Sequence, residues 1–263
     1  LLDVSEFNHV LQVDPDNNLI EVEGMTTYEE LVDATLPHGV MPAVVPQLKS
    51  ITIGGAVSGI GIESSSFRYG LPHQSIGEMD VLLASGDVLT CTPDNDHSDL
   101  FYGLANSYGT LGYILRLPAL AVPVKPFVQL THIRFDQSEA FFRAIDQWSA
   151  GEIDFMDGTV FAPGDHVLTL GRFVDQVPYV SDYTYLEIYY SSIRARSEDF
   201  LTTRDYLWRW DTDWFWCSKN LYVQNWPMRR LLGRKRLNSI TYQKVMRWNT
   251  RWGITRRLGY LSG

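Results

Sequence analysis

The chain has 263 residues, 45% of them apolar and 20% charged. This is the composition of a globular protein with room for roughly two domains, and it excludes a disordered, collagenous or coiled-coil chain. The net charge of −9 is unevenly spread: Lys219 to Gly263 holds 11 basic residues and no acid, whereas the first 218 residues hold 11 basic residues against 31 acids. That asymmetry points to an anionic partner for the basic end.

No run of about 18 uncharged apolar residues is present, so a membrane-spanning helix is not expected. Cys91 and Cys217 are too few for a disulfide framework and fit a reducing compartment. The start, Leu1-Leu2-Asp3-Val4-Ser5-Glu6, is acidic and lacks the basic opening of a signal peptide. The expected location is cytoplasmic. Because the chain opens on Leu1 and ends abruptly at Gly263, a piece of a longer protein is expected.

In chain order, Val10–Asp14 and Leu19–Glu23 alternate in polarity and flank Asp14-Pro15-Asp16-Asn17-Asn18, which predicts a hairpin. Thr26 and Glu29 have capping-box spacing before a helix striped by Leu31, Val32 and Leu36 and stopped near Gly39. Pro42 to Gly70 has little periodicity. Met79–Ala84 and Asp87–Cys91 around Ser85-Gly86 read as a second hairpin. A short helix is expected over Asp99–Tyr108 with Ser98 as cap, then a strand over Tyr113–Leu117 closed by Pro118. A domain boundary is placed at Pro123-Val124-Lys125-Pro126, giving domains 1–123 and 124–263. Beyond it, Phe127–Phe135 reads as a strand and Ser138–Ser149 as a helix capped by Ser138, with Ala140, Phe141, Ile145 and Trp148 on its apolar face. Val160-Phe161, His166–Phe173 and Tyr183–Tyr190 read as further strands. Seven of the eight tryptophans lie between Trp208 and Trp252, so indole rings and basic charge are concentrated together.

The segment Thr52-Ile53-Gly54-Gly55-Ala56-Val57-Ser58-Gly59-Ile60-Gly61-Ile62-Glu63-Ser64-Ser65-Ser66 carries the most chemistry. Glycines permit close backbone approach and positive φ, and successive free N–H groups form an anion-binding concavity. The hydroxyls of Thr52, Ser58 and Ser64 add donors suited to a diphosphate. The pattern is neither a Rossmann fingerprint nor a P-loop. The competing reading is a glycine-rich structural loop.

Pro46-x-Leu48, Thr52-Ile53-Gly54-Gly55, Gly59-x-Gly61-Ile62-Glu63-Ser64-Ser65-Ser66 and Tyr69-Gly70-Leu71 together resemble the FAD-binding domain of the vanillyl-alcohol-oxidase (PCMH-type) flavoproteins. The likeness is strongest to the Δ24-sterol reductase group. It continues through Val81–Gly86, Cys91-Thr92-Pro93, Ser98–Tyr102 and Gly109-Thr110-Leu111-Gly112-Tyr113, and covers about residues 1 to 125. The resemblance implies an α+β fold: the second lobe of a PCMH-type FAD-binding domain, followed by part of a mixed α/β substrate (cap) domain. It implies non-covalent FAD lined by Thr52 to Ser64 (Thr52, Ile53, Gly54, Gly55, Ala56, Val57, Ser58, Gly59, Ile60, Gly61, Ile62, Glu63 and Ser64), with Gly109, Gly112 and Tyr113 approaching from the other side. Tyr69 and Gly70 would shape the turn leaving the site. His73 is not at the position where some members attach flavin covalently. The family's other phosphate-binding lobe would precede Leu1, so tight FAD retention by this chain alone is not expected.

The resemblance also implies reduction of a sterol-like C=C bond, with NADPH as electron donor. An FAD-linked oxidase of an alcohol or sugar lactone and a non-catalytic lipid-binding remnant remain the alternatives. The aromatic run Asp205–Asp211 with Trp214-Phe215-Trp216 suits a flat lipid, although tryptophans are as often core. Tyr206, Asp205, Glu187 and His166 are chemically able to donate a proton, and the sequence does not choose among them, so the catalytic residue is unknown. His9, His38, His73, His97, His132 and His166 are scattered without ligand spacing, so no metal is expected. The basic, Trp-rich stretch from residue 219 to 263 suits peripheral contact with a membrane rather than nucleic acid, for which it has no reader motif.

Overall fold

The computed structural model describes residues 3–214, 218–219 and 222–253. Two antiparallel sheets follow one another along the chain. In the first, β1 (Val10–Asp14), β2 (Leu19–Glu23), β6 (Tyr113–Pro123), β4 (Met79–Leu82) and β5 (Val88–Cys91) lie in the order β1-β2-β6-β4-β5, and β3 (Val40–Pro42) pairs with the far end of β6. In the second, β10 (Glu198–Thr202), β7 (Phe127–Phe135), β9 (Asp165–Val174) and β8 (Phe155–Ala162) lie in the order β10-β7-β9-β8. The α+β expectation holds.

Both expected hairpins form, with Val13 opposite Ile20 and Val81 opposite Leu89. Helix α1 (Tyr28–Thr35) buries Leu31 and Val32, and Gly39 adopts φ 72° after it. Its capping box is one residue later than expected, formed by Thr27 and Glu30. The Thr26 carbonyl is occupied instead by the Ile53 amide. β6 continues through Pro118, which sits opposite Glu21 in the ladder. Helix α4 spans Ser98–Leu104; Ser98 lies inside it and His97 precedes it without a side-chain cap.

Helix α5 (Ser138–Ser149) has the expected length, but Ser138 does not cap it. Its hydroxyl lies 3.3 Å from His166 Nε2. The largest departure concerns Tyr183–Tyr190. It is not a strand: it leads into α6 (Tyr189–Ala195), and the edge of β7 is filled by β10. Short helices absent from the sequence reading complete the first half, α2 (Ile53–Gly59) and α3 (Ser66–Tyr69). The second half adds α7 (Thr203–Leu207), α8 (Trp226–Leu232) and α9 (Ser239–Trp252).

One apolar cluster runs from Ile20, Val22 and Leu117 under the first sheet to Val128, Leu130, Val167, Trp208 and Trp210 under the second. The two sheets therefore share a continuous core. Trp208 and Trp210 belong to it, while Phe215, Trp216 and Cys217 lie outside the described residues.

Candidate functional site

The glycine-rich segment is built around a crossing of main chains. The Gly24 amide donates to Leu115 in β6, and the Gly24 carbonyl accepts from Gly54 at 2.8 Å. A Cβ on Gly24 would stand 2.0 Å from the Ile114 carbonyl oxygen, and one on Gly54 would stand 2.8 Å from the Gly24 oxygen. These two glycines let α2 sit directly on the sheet. The start of α2 is internally satisfied: Ile53 donates to Thr26, Gly55 to the Thr52 hydroxyl at 3.2 Å, and Ala56 to the Thr52 carbonyl. The Ser58 hydroxyl donates to Gly54. The amides of Ile53 to Ala56 and the Ser58 hydroxyl are thus engaged within α2 and its backbone contacts, and the Thr52 hydroxyl accepts from Gly55.

The free donors lie at the other end. Helix α2 stops at Ile60, which takes φ 54° and ψ 120°. Positive φ in a β-branched residue is an outlier of the kind that collects at binding sites. Among the described residues, the amides of Ile60, Gly61 and Ile62 have no hydrogen-bond acceptor, and the Ile62 side chain is 80% exposed. A second strained loop lies against this turn. Asn106, Tyr108 and Gly109 all have positive φ, and the Tyr108 amide donates to Ser58 at 3.0 Å. Tyr108, Leu111 and Tyr113 are exposed there, an apolar shoulder beside unpaired amides. Gly112 is buried for a packing reason, since a Cβ would meet Val81 Cγ1 at 2.7 Å. Ile53, Ala56 and Val57 face the core.

The chain then docks on the second sheet. The Met156 amide in β8 donates to the Ser64 carbonyl at 2.8 Å, and Tyr206 hydroxyl donates to Ser64 Oγ at 3.1 Å. At this seam Arg209, 2% exposed, pairs with Asp157 at 2.5 Å, and its guanidinium lies 3.9 Å from the Tyr206 ring centroid. Glu63 faces the same group. Burial and then the nearby Asp157 push its carboxyl up to about 8, against the opposing pull of Arg209 and of Gln47. Among the described residues, Gln47 Oε1 and Arg209 Nε are buried without partners.

Two cavities open on the seam. One of about 610 Å³ is lined by Gln47, Asp157, Thr159, Phe161, Tyr190 and Trp210. The other, of about 350 Å³, is lined by Ile62, Glu63, Phe67, Met156, Gly158 and Leu168. Gly158 borders both.

Most of the proton-donor candidates lie elsewhere. Asp205 bonds to the cap residue of its own helix, Thr202, and Glu187 pairs with Arg196 at the surface. His166 packs on Phe141 against α5. Tyr206 does border the seam, but burial raises its hydroxyl well above the ordinary tyrosine range. His73 lines a separate cavity of about 370 Å³ with Val57, Met79 and Phe101. Glu63 stood in the sequence only as one of a row of lining residues. Its partners Asp157 and Arg209 are remote along the chain, so no local signal marked it.

Residues 1–92 match the family of the FAD binding domain. Over that stretch the chain is similar to FAD binding domains. It is 31% identical over 186 residues to the Δ24-sterol reductase of Pisum sativum, covering 66% of this chain and 33% of the relative. To the human Δ24-sterol reductase it is 31% identical over 168 residues, covering 64% and 32%. It is also 28% identical over 170 residues to cytokinin dehydrogenase 10 of Oryza sativa, covering 63% and 30%. The chain spans about a third of the length of these relatives.

The residues fit a flavin. The free amides of Ile60, Gly61 and Ile62 supply hydrogen-bond donors, the exposed Ile62, Leu111 and Tyr113 supply apolar contact, and the smaller cavity is bordered by Ile62.

Proposed function

We propose that the protein reduces a carbon–carbon double bond of a sterol-like lipid, using non-covalent FAD reduced by NADPH. The observation that supports this reading is the pair of cavities at the seam, the smaller bordered by Ile62 and walled largely by Ile62, Phe67, Met156 and Leu168, the larger lined by Phe161 and Trp210 beside Gln47 and Asp157. An apolar cleft with a few polar groups orients a largely hydrocarbon ligand. The similarity to Δ24-sterol reductases supports a sterol-like substrate. Bound FAD would supply the hydride. The chain's own residues would hold it at the Ile60–Ile62 amides, exclude water with the apolar walls and place the double bond between the sheets. Anaerobic NADPH oxidation that depends on a Δ24-unsaturated sterol is the expected result. Peroxide production from an alcohol without NADPH would instead favour the oxidase alternative, to which the similarity to a cytokinin dehydrogenase lends weight.

We further propose that the protein meets its lipid at a membrane surface. Among the described residues no helix is long and apolar enough to cross a membrane. The region around α8 and α9 nevertheless exposes Trp226, Leu231, Val245, Trp248 and Trp252 beside Arg230, Arg247 and Arg251. Arg230 lies over Trp226 at 5.4 Å and Arg251 over Trp252 at 5.9 Å. Cations beside exposed indoles suit anionic headgroups above an acyl boundary. Arg256 and Arg257 lie outside the described residues. The chain should sediment with phosphatidylglycerol vesicles at low salt and be released as salt shortens the Debye length. Replacing Trp226 and Trp248 by Ala should weaken the interaction several-fold. Absence of binding at low salt would contradict the assignment.

A further inference from the structure

We propose that Glu63 is the proton donor of this site, giving its carboxyl proton to the substrate carbon opposite the one that takes the hydride. The inference rests on the alkene-reduction reading. An isolated double bond that accepts a hydride at one carbon still needs a proton at the other, and a donor must come within hydrogen-bond reach. A reduced flavin, when bound, would supply the hydride. The new C–H bond at the second carbon uses the proton released as the Glu63 O–H bond breaks. Its electron pair stays on the carboxylate, which regains a proton from water.

Position supports the assignment. Glu63 follows directly on the turn of unpaired amides at Ile60, Gly61 and Ile62. Its backbone is fixed at both ends: the Glu63 amide donates to Ser66 Oγ at 3.0 Å, and its carbonyl accepts from the Ser66 amide at 2.9 Å. The side chain enters a wall otherwise formed largely by Ile62, Phe67, Ile145, Met156 and Leu168. Gln47, 8% exposed and lining the adjoining cavity, keeps Oε1 without a partner among the described residues, which leaves hydrogen-bonding capacity for a ligand.

The neighbours leave Glu63 as the group for this task. Asp157 is paired with Arg209, an acceptor held by a cation. Tyr206 hydroxyl is directed to Ser64. Tyr28, on α1, also lies within electrostatic reach and is buried. With Asp157, Arg209, Tyr28 and Gln47 all facing it, the Glu63 carboxyl is raised to about 8 and stays protonated at neutral pH. A donor poised near the working pH is the arrangement general acid catalysis favours.

Two readouts test this on the full chain. Because Asp213 is likewise raised to about 8, the infrared spectrum of the wild type minus that of Glu63→Gln should show a protonated-carboxyl band at pH 7 that fades through about pH 8. In the flavin-loaded, NADPH-reduced protein mixed with a Δ24-unsaturated sterol, Glu63→Gln should slow flavin reoxidation by about 100-fold or more, the usual range for a general acid. Glu63→Asp should recover part of the loss. The wild-type rate should fall above pH 8 while the residual Glu63→Gln rate stays flat. A wild type and Glu63→Gln that reduce the sterol equally fast, or an absent infrared band, overturn the donor role alone. A wild type that leaves the sterol untouched overturns the alkene-reduction reading, and the donor role with it.

Discussion

Gly24→Ala should lower the melting temperature by roughly 10 °C and remove flavin binding with it, at about 2–4 °C per kcal/mol for a chain of this size. The reason is backbone against backbone. The added Cβ would lie 2.0 Å from the Ile114 carbonyl oxygen and 2.9 Å from its carbon, and neither atom can rotate away. Relief requires β2 to part from β6, which breaks the Gly24–Leu115 bond and shifts the carbonyl that receives the Gly54 amide. The start of α2 moves, and the Ile60–Ile62 turn moves with it. Gly77→Ala is the control. A Cβ there meets no atom within 4 Å, and its φ lies outside the positive region. It should change stability by less than about 0.5 kcal/mol, as surface substitutions do. Thermal melts of the two variants settle the comparison.

Arg209→Met should cost about 3–5 kcal/mol, the range for removing one partner of a buried ion pair. Arg209 is fully enclosed between the Tyr206 and Tyr189 rings, at 3.9 and 5.5 Å, and is the cation bound to Asp157. Methionine replaces its stem, but leaves the largely buried Asp157 carboxylate without a counter-charge. Removing Asp157 as well, in Arg209→Met with Asp157→Leu, should recover most of the loss, because the penalty belongs to the stranded charge. The coupling is read from urea unfolding of the two single variants and the double. The Arg209→Met substitution should also push the Glu63 carboxyl further up, since Arg209 is among the groups that favour its ionised form. Equal losses in the single and double variants would show that packing on the tyrosines, not the ion pair, holds Arg209 in place.

The elements legible in the sequence were those whose cause is local. Asp14–Asn18 and Ser85-Gly86 carry enough turn chemistry to fix both hairpins, and the Leu31–Val32 stripe marks α1. The capping box slipped by one because Thr26-Thr27 and Glu29-Glu30 offer two registers, and only the tertiary bond from Ile53 to Thr26 selects between them. Tyr183–Tyr190 has strand composition, but β10 takes the sheet edge beside β7, so its aromatics pack as a loop and helix instead. The glycine-rich segment is legible in the sequence as a unit, while which of its amides are already engaged is set by the fold. Sequence shows where glycines are, not which amides the helix has already used. The Glu63–Asp157–Arg209 cluster forms only when the second sheet docks, and no spacing rule reaches across that fold.

We propose that the turn at Ile60–Ile62 and the loop at Tyr108–Tyr113 form one flavin-binding face. Titrating the ¹⁵N-labelled chain with FAD and following amide chemical shifts tests it even where affinity is weak. Saturable shifts confined to Gly59–Glu63 and Tyr108–Tyr113, with Gly54 and Gly55 unmoved, are the predicted result. Saturable shifts centred on Gly54 and Gly55, or none at all, would contradict it.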